Sequence, residues 1–380
     1  MFTNLFAVAT SRTMGWFYVA FIEEFSLNRE TSSWPGFLLM CCHRTSGLLV
    51  GMLHKHMSLF LIGLMGSFLA WGGMAASAFA PSISWMSFTM GIVHGIGAGV
   101  VIQSHTVVVL QHFSKYRGVA AGSMFTANPT SAILFPAVLS ALNDAYGFRG
   151  AVLVYGALIM HISALCPILK EPPWITNAGT MRENGVHGNQ RLRSTLVDYV
   201  NTVHIYTMVD YARDKGVSRT HATMSITYAA PPEILGRLLV PLIADMGWLS
   251  RPFLACGCAI TAGLLFAVTP ETVQITHLVL RALSSVTMGV LATMKTVLVA
   301  DYMGTDAVCV VSGVSGSLLV PLMLCNPLIF GFFRDRMGSY DNLYRIVAGI
   351  ILCGGLALIA CLVRSSRSIS TRVKISDGDV

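Results

Sequence analysis

A series of apolar stretches, each long enough to cross a lipid bilayer as a helix, constrains this sequence most. A crossing helix needs about 20 mostly apolar residues. Eleven stretches of the 380-residue chain meet that requirement, at approximately 5–25, 34–53, 59–79, 83–110, 119–142, 150–169, 222–245, 249–269, 272–300, 307–332 and 343–363. Apolar residues make up 54% of the chain and charged residues 11%, too few charges to cover a soluble surface. The sequence therefore predicts an all-α integral membrane protein.

The spans fall into two groups, six before residue 170 and five after residue 222. Between them, Leu196–Ala212 (LVDYVNTVHIYTMVDYA) is short and carries polar residues. We interpret it as a degenerate or truncated seventh span, with a surface loop as the alternative. The prediction is two six-helix bundles (12 spans), at 1–169 and 196–364, joined by a cytoplasmic linker at 170–195 and followed by a basic cytoplasmic tail at 365–380. Six spans on each side of a basic loop is the plan of a transporter with its site near the membrane midplane.

The distribution of basic residues predicts how the chain is oriented. Loops hold more Lys and Arg on the inner side if both termini face the cytoplasm, so we expect that topology. The net charge of +7 does not indicate nucleic acid as a partner, because the basic residues are scattered between apolar runs. The nine cysteines lie in or beside apolar stretches without metal-ligand spacing, so we expect packing roles and no metal.

Several motifs together resemble the monocarboxylate transporter group of the major facilitator superfamily, in the style of an arthropod-type member. The first helix of the family and the loop after it resemble GWFYVAFIEEF at 15–25 and RETSSW at 29–34. The family's loop between helices four and five resembles HFSKYRGVAAG at 112–122. Its entry to helix six resembles YGFRGA at 146–151, and its exit from helix ten resembles DYMG at 301–304. The resemblance implies the two-bundle fold of that superfamily. It also implies a plasma-membrane carrier of small monocarboxylates, such as lactate or pyruvate, with a proton as co-substrate.

Glu233 and Arg237 are the first candidates for function, because a charge within the bilayer is expensive and marks a functional site by default. Their i, i+4 spacing places both on one face of one helix, with the acid N-terminal to the base. At about 4 Å and an effective dielectric near 20, their attraction is about 4 kcal/mol. The resemblance identifies the spacing with the acidic-x-x-x-Arg motif of the family's eighth helix. It assigns proton coupling to Glu233 and substrate binding to Arg237; a static ion pair is the alternative.

Arg12 and Asn128 are further candidates for substrate binding. By the resemblance, Arg12 falls where the family places a substrate-contacting basic residue in helix one; its alternative is a side chain that reaches the membrane interface. Asn128 either faces the cavity as a hydrogen-bond partner or packs between helices.

A second group of polar residues lies at the predicted inner ends of the spans. We expect four of these residues to lock an inner gate, with simple anchoring at the inner face as the alternative: Lys115, Arg117, Asp245 and Arg251. Five more polar residues within or beside spans either line the cavity or anchor the helices at the interface, and the second reading is favoured: His43, Arg44, His277, Arg281 and Lys295.

The sequence therefore predicts a secondary transporter that works by alternating access. Its partners are a small organic anion, a proton, the lipid bilayer and, by the resemblance, a single-span accessory protein. The alternatives are a proton-independent facilitator of another organic solute, and a transport-dead homologue that acts as an interaction protein. No nucleophile–base or metal constellation is evident, so we expect neither an enzyme nor a cofactor.

Overall fold

The computed structural model describes residues 1–168, Pro172 and 187–376, and in this part of the chain the regular structure is helical. The α-helices are α1 Phe2–Arg12, α2 Met14–Phe25, α3 Arg29–Leu53, α4 Leu59–Ser77, α5 Ile83–Met86, α6 Gly95–His112, α7 Arg117–Phe125, α8 Ala127–Leu165, α9 His187–Tyr206, α10 Met208–Asp214, α11 Arg219–Asp245, α12 Arg251–Val268, α13 Gln274–Met303, α14 Ala307–Gly331 and α15 Asp341–Ser376. Two π-helical segments, Ser87–His94 and Phe332–Arg336, precede α6 and follow α14.

Short polar residues start several of the long helices. The Asn28 side chain accepts a hydrogen bond of 2.9 Å from the Thr31 N–H at the start of α3. Ser58 and Ser218 cap α4 and α11 in the same way. Such caps satisfy N–H groups that lack a partner within the helix. α13 ends just before Gly304, which adopts a φ of 90°. A glycine tolerates this value without strain.

Two of the membrane segments are broken inside the chain. α1 and α2 form one apolar segment that bends by 47° at the Arg12–Met14 step. α8 continues without a gap from residue 127 to 165, but Gly147 inside it has φ 68° and ψ 175°, so a break there divides it into two shorter helices. This break lies between the two spans predicted at 119–142 and 150–169.

By length and composition, eight of the described helices can cross a membrane, or nine if α1 and α2 count as one span. One of the eight covers Arg117–Leu165 and is 49 residues long, about twice what one crossing needs. Divided at Gly147, and with α9–α10 and α11 added, the arrangement accommodates the twelve predicted spans, which stay a prediction.

The seventh segment is longer than Leu196–Ala212. α9 begins at His187 and α10 ends at Asp214, so the helix starts within the stretch predicted as a linker, most of which lies outside the described residues. α15 likewise extends through Ser376 into the predicted tail. Hydropathy alone missed the start of α9 because that end is polar, and polar residues leave no apolar signal of a helix.

The three largest clusters of buried side chains hold the fold together. The first lies wholly within the N-terminal helices, from Leu5 to Cys166, and another lies wholly within the C-terminal helices, from Val200 to Ile351. The remaining cluster joins α3, α4, α6 and α7 to α11–α14. Each half therefore has its own core, and a shared core ties the two halves together.

The helix ends define two faces of the molecule. We call the side with the connections at 53–59, 112–117, 245–251 and 303–307 the gate face. We call the side with the connections at 25–29, 77–83, 214–219, 268–274 and 336–341 the opposite face. The gate face is the side predicted to be cytoplasmic.

Candidate functional site

The ion pair of Glu233 and Arg237 lies halfway along α11. Arg237 donates from Nη2 at 2.6 Å and from Nε at 3.1 Å, both to Oε1 of Glu233. The Arg237 residue is 2% exposed, whereas the Glu233 side chain is 23% exposed. Helical spacing places the two side chains one turn apart on one face, as the sequence predicts. The guanidinium is therefore buried and neutralised, and its carboxylate partner keeps contact with solvent.

Close helix packing explains why this pair is buried. A Cβ on Gly122 of α7 would lie 1.9 Å from the backbone oxygen of Arg237, so only glycine allows α7 to approach α11 at this point. On the other side, a Cβ on Gly289 of α13 would lie 3.1 Å from Cγ of Glu233. The pair thus sits where a helix of the N-terminal half meets two helices of the C-terminal half.

Arg12 lies at the break between α1 and α2, where the chain bends by 47°. It is half-buried and close enough to Glu233, Arg237 and Arg44 to interact with them electrostatically. In the described part of the chain, no carboxylate oxygen lies within 4.0 Å of its guanidinium. Broken helices frequently build the binding sites of transporters. Arg12 therefore lies near the Glu233–Arg237 pair, and among the described residues it has no carboxylate of its own.

Asn128 lies at the start of α8, about one and a half turns beyond the Gly122 contact. It is half-buried, and its backbone carbonyl accepts a hydrogen bond of 2.9 Å from Ser131 Oγ. α8, on which Asn128 lies, packs against α11, the helix that carries the ion pair. Its role in substrate binding stays a prediction.

A cluster of charged residues joins the two halves at the gate face. Arg117 of α7 donates to Asp301 at the end of α13, at 2.5 Å. Arg251 of α12 donates to Asp301 at 2.9 Å and to Asp245 at 2.8 Å. Arg251 also donates to the backbone oxygen of Lys115 at 3.0 Å. Three of the four residues predicted for a gate thus meet here through their side chains: Arg117, Asp245 and Arg251.

Lys115 enters this cluster through its backbone. Its backbone carbonyl is the group that contacts Arg251, while its ammonium lies over the ring of Tyr116, 5.5 Å from the centroid. Sequence reasoning missed Asp301 as a member, although it had identified DYMG at 301–304 as a motif. Its partners come from α7 and α12, so helix periodicity carries no signal for this contact.

A second contact between the halves lies beside that cluster. Gln111 at the end of α6 donates to Asp306 at 3.2 Å, and His54 Nε2 lies 4.0 Å from the same carboxylate. At the opposite face, the described ion pairs each stay within one half: Arg149–Glu24, Lys215–Asp341, Arg334–Asp214 and Arg345–Glu271. The described polar links between the halves therefore concentrate at the gate face.

Sequence reasoning also missed a second charged group between the halves. Lys295 of α13 donates to Asp198 of α9 at 2.6 Å, and Arg44 of α3 lies 3.7 Å from the same oxygen. The sequence interpretation favoured Arg44 and Lys295 as interface anchors, whereas here they converge on one carboxylate. The only signal in the sequence was the occurrence of three charges in separate spans.

Arg281 is likewise buried rather than placed at the interface. It is 2% exposed and donates to the hydroxyl of Tyr344 at 2.5 Å and to the backbone oxygen of His204 at 2.8 Å. Thr207 also bonds the Tyr344 hydroxyl, at 2.9 Å. This network lies inside the C-terminal half and links α9, α13 and α15. In the described part of the chain, no group of three or more His, Cys, Asp or Glu residues is arranged to hold a metal ion.

The chain has curated relatives over nearly its full length. Human monocarboxylate transporter 11 is 25% identical over 374 residues, which cover 92% of this chain and 78% of that protein. Rat monocarboxylate transporter 13 is 23% identical over 94% of this chain and 86% of that protein. Mouse monocarboxylate transporter 9 is 30% identical over 45% of this chain and 34% of that protein. No protein-family model matches the chain.

Solved structures share the fold at low sequence identity. The major facilitator superfamily transporter FucP, in its outward conformation, aligns with a TM-score of 0.77 and 16% identity over 94% of this chain and 96% of that chain. The human organic anion transporter MFSD10 (TETRAN) aligns with a TM-score of 0.73 and 13% identity over 94% of this chain and 97% of that chain. The fold is therefore that of the major facilitator superfamily. The proteins that it resembles are multi-pass membrane transporters and not enzymes.

Proposed function

We propose, on the premise that this chain is a homologue of the monocarboxylate transporters with the major facilitator fold, that it moves small monocarboxylates together with a proton. The relatives supply the substrate class through their names. The chain's own residues supply the chemistry that such a substrate requires. That chemistry is a cation to bind the carboxylate and an acid to carry the proton.

The observation that carries the proposal is the geometry of the Glu233–Arg237 pair. Both hydrogen bonds from Arg237 end on Oε1 of Glu233, so Oε2 is the oxygen on which a proton would arrive. The 23% exposure of the Glu233 side chain gives the proton access from solvent. Protonation removes the charge that neutralises Arg237. The buried guanidinium then lacks a counter-ion, and leaving a buried charge unpaired is strongly unfavourable.

A substrate carboxylate restores the balance. A guanidinium binds a carboxylate through two parallel N–H···O bonds, so the substrate takes the place that ionised Glu233 leaves. Arg12 adds a second positive charge in the same space. The proton binds first and the anion second, so loading adds no net charge to the site. This order couples the two solutes because each stabilises binding of the other.

The charged cluster at the gate face supplies the lock that alternating access requires in this proposal. Arg117 reaches across from α7 to Asp301, and the same carboxylate is held by Arg251. Opening toward the gate face requires these bonds and the Gln111–Asp306 bond to break together. We propose that they lock one side of the carrier while the site faces the other, and that the loaded carrier exchanges this lock for contacts at the opposite face.

We further propose a plasma-membrane location with both termini in the cytoplasm, so that the gate face is the inner face. The positive-inside bias of the loops supports this orientation. The single-span accessory partner that the resemblance implies belongs to the same proposal. Cysteine-specific labelling from each side of oriented vesicles, at single cysteines placed in the 54–58 and 26–28 connections, tests the orientation.

Uptake into proteoliposomes tests the function. Radiolabelled lactate and pyruvate are offered with and without an inward proton gradient, alongside a neutral solute of similar size. We expect saturable carboxylate uptake that the gradient stimulates. Arg237→Lys should lose about tenfold or more of that uptake, because an ammonium cannot reproduce the two-bond geometry. Arg149→Lys, on the exposed opposite face, is the matched control and should retain uptake.

The alternatives give different results in the same assay. Carboxylate uptake that no proton gradient stimulates would indicate a facilitator. Equally efficient uptake of the neutral solute would show that the Glu233–Arg237 site does not select for carboxylates. A purified, folded chain that carries none of these solutes and does not exchange them would favour the interaction-protein reading. Full activity of Arg237→Lys would contradict the assignment of the site.

A further inference from the structure

The group formed by Arg44, Asp198 and Lys295 repeats the pattern of the first site. In each group a cation of the C-terminal half holds a carboxylate of the same half at 2.6 Å: Arg237 on Glu233, and Lys295 on Asp198. In each group an arginine of the N-terminal half lies near the pair without a close bond to it.

Arg44 is loosely held. Its Nη1 lies 3.7 Å from Oδ1 of Asp198, beyond hydrogen-bond distance. Among the described residues, Asp198 is the one carboxylate within 4.0 Å of this guanidinium. Lys295 already occupies that carboxylate at 2.6 Å. The side chain of Arg44 is 29% exposed, so its donors remain accessible to a ligand.

The two groups lie near each other. Arg12 interacts electrostatically with Arg44 as well as with Glu233 and Arg237. Tyr206, at the end of α9 and 52% exposed, interacts electrostatically with both Arg12 and Arg44. Among the described residues, these neighbouring groups comprise four cationic side chains and two carboxylates, which leaves an excess of two positive charges when both acids are ionised. Both excess charges belong to the N-terminal half, because each cation of the C-terminal half has its own acid.

From this arrangement we infer that Arg44 forms a second carboxylate-binding subsite, so that the chain also carries short dicarboxylates. One carboxylate binds at Arg12 and Arg237, as in the proposed function on which this inference rests. The other binds the donors of Arg44 to which no described residue is hydrogen-bonded. The Asp198–Lys295 pair stays intact, and it positions α9 and α13 beside the subsite.

A dicarboxylate fits better than a larger monocarboxylate. With Glu233 protonated, these described side chains carry an excess of three positive charges; a single carboxylate leaves two of them and a dicarboxylate leaves one. Two carboxylates on one short chain also lose the translational entropy of binding only once. A guanidinium with free N–H donors also matches a planar carboxylate better than it matches a halide.

The test compares succinate with lactate in the same proteoliposomes. For the wild type we expect saturable uptake of both. In Arg44→Gln the ratio of succinate to lactate uptake should fall at least tenfold, because the variant removes one excess charge and leaves the Asp198–Lys295 pair undisturbed. Arg44→Lys, which keeps the charge, should restore part of the ratio. Arg149→Gln at the opposite face is the matched control and should leave the ratio unchanged.

Each outcome separates this inference from the proposed function. Lactate uptake without succinate uptake in the wild type overturns the second subsite and leaves the first standing. Succinate uptake without lactate uptake supports the subsite and overturns the monocarboxylate assignment. An equal fall of both substrates in folded Arg44→Gln overturns the inference, because Arg44 would then serve both anions alike. Lactate uptake with a Hill coefficient near two and no succinate uptake also overturns it, since two separate anions would occupy the space.

Discussion

Replacing Glu233 by glutamine is the sharpest perturbation of the proposed coupling. The substitution keeps the shape of the side chain and removes its charge and its titratable proton. In effect it holds the pair in the state that protonation would produce. We therefore expect uptake that no longer depends on pH, together with loss of accumulation driven by a proton gradient. Exchange of labelled for unlabelled substrate should continue, because exchange needs the anion site and not net proton movement.

The structure sets the size of the effect. With contacts of 2.6 and 3.1 Å, charge centres about 4 Å apart and an effective dielectric near 20, the attraction is about 4 kcal/mol, which is an upper limit. Glutamine keeps a neutral hydrogen bond to Arg237. Because bonds to charged groups are worth about 1.5–3 kcal/mol and neutral ones about 1 kcal/mol, we expect about 0.5–2 kcal/mol less competition for the guanidinium. The half-saturation concentration near neutral pH should therefore fall by about 2–30-fold.

The assay measures initial uptake and exchange in proteoliposomes between external pH 5.5 and 8. Glu24→Gln is the matched control, because Glu24 also pairs with an arginine but lies at the opposite face with its side chain 32% exposed. It should keep the wild-type pH profile. If Glu233→Gln still accumulates substrate in response to a proton gradient, the proton travels by another group and the coupling scheme is refuted.

Two further predictions concern the gate face, and Cys309 reports on both because it is 3% exposed within the core shared by the two halves. Asp301→Asn should raise the labelling rate of Cys309 by about fivefold, measured with the other cysteines replaced by alanine, because removing that carboxylate costs the closed state about 1 kcal/mol. Glu271→Gln, at an exposed pair of the opposite face, should not change this rate. An unchanged rate in Asp301→Asn would argue against the lock. Gly122→Val should raise the labelling rate of Cys309 and lower the thermal midpoint in detergent by an amount corresponding to about 1–3 kcal/mol. The reason is that a Cβ at this position would meet the backbone oxygen of Arg237 at 1.9 Å. Normal labelling and stability would show that α7 and α11 can separate without cost.

Much of the fold was predictable from local pattern. The apolar stretches predicted most of the membrane helices, and the polar residues between 142 and 150 predicted the interruption that the structure places at Gly147. The Glu233–Arg237 contact was also predictable, because four residues of helix place two side chains on one face regardless of what surrounds them. The start of α9 was not, because its first turns carry polar residues that resemble a linker.

In the candidate site, too, the contacts between residues close in sequence were predictable, and the contacts between distant residues were not. Asp245 and Arg251 are six residues apart and meet around one helix end, so their pairing was within reach of sequence reasoning. Asp301, whose partners lie 184 and 50 residues away, was not. The same holds for Arg44, Asp198 and Lys295, where three side chains come from helices separated by more than 90 residues along the chain.

The sequence by itself determined that the chain is an integral membrane protein and that an acid and an arginine share one helical face. It also determined, to within a few turns, the residues at which the helices begin and end. These properties follow from hydropathy and from the 3.6-residue period, which are local. Only the tertiary structure decided which charges neutralise one another, and hence that, among the described residues, Arg12 has no carboxylate within reach and Arg44 shares its one carboxylate with Lys295. The physical reason is that the energy of a charge within the membrane depends on its distance from other charges in space, and that distance is set by how the helices pack.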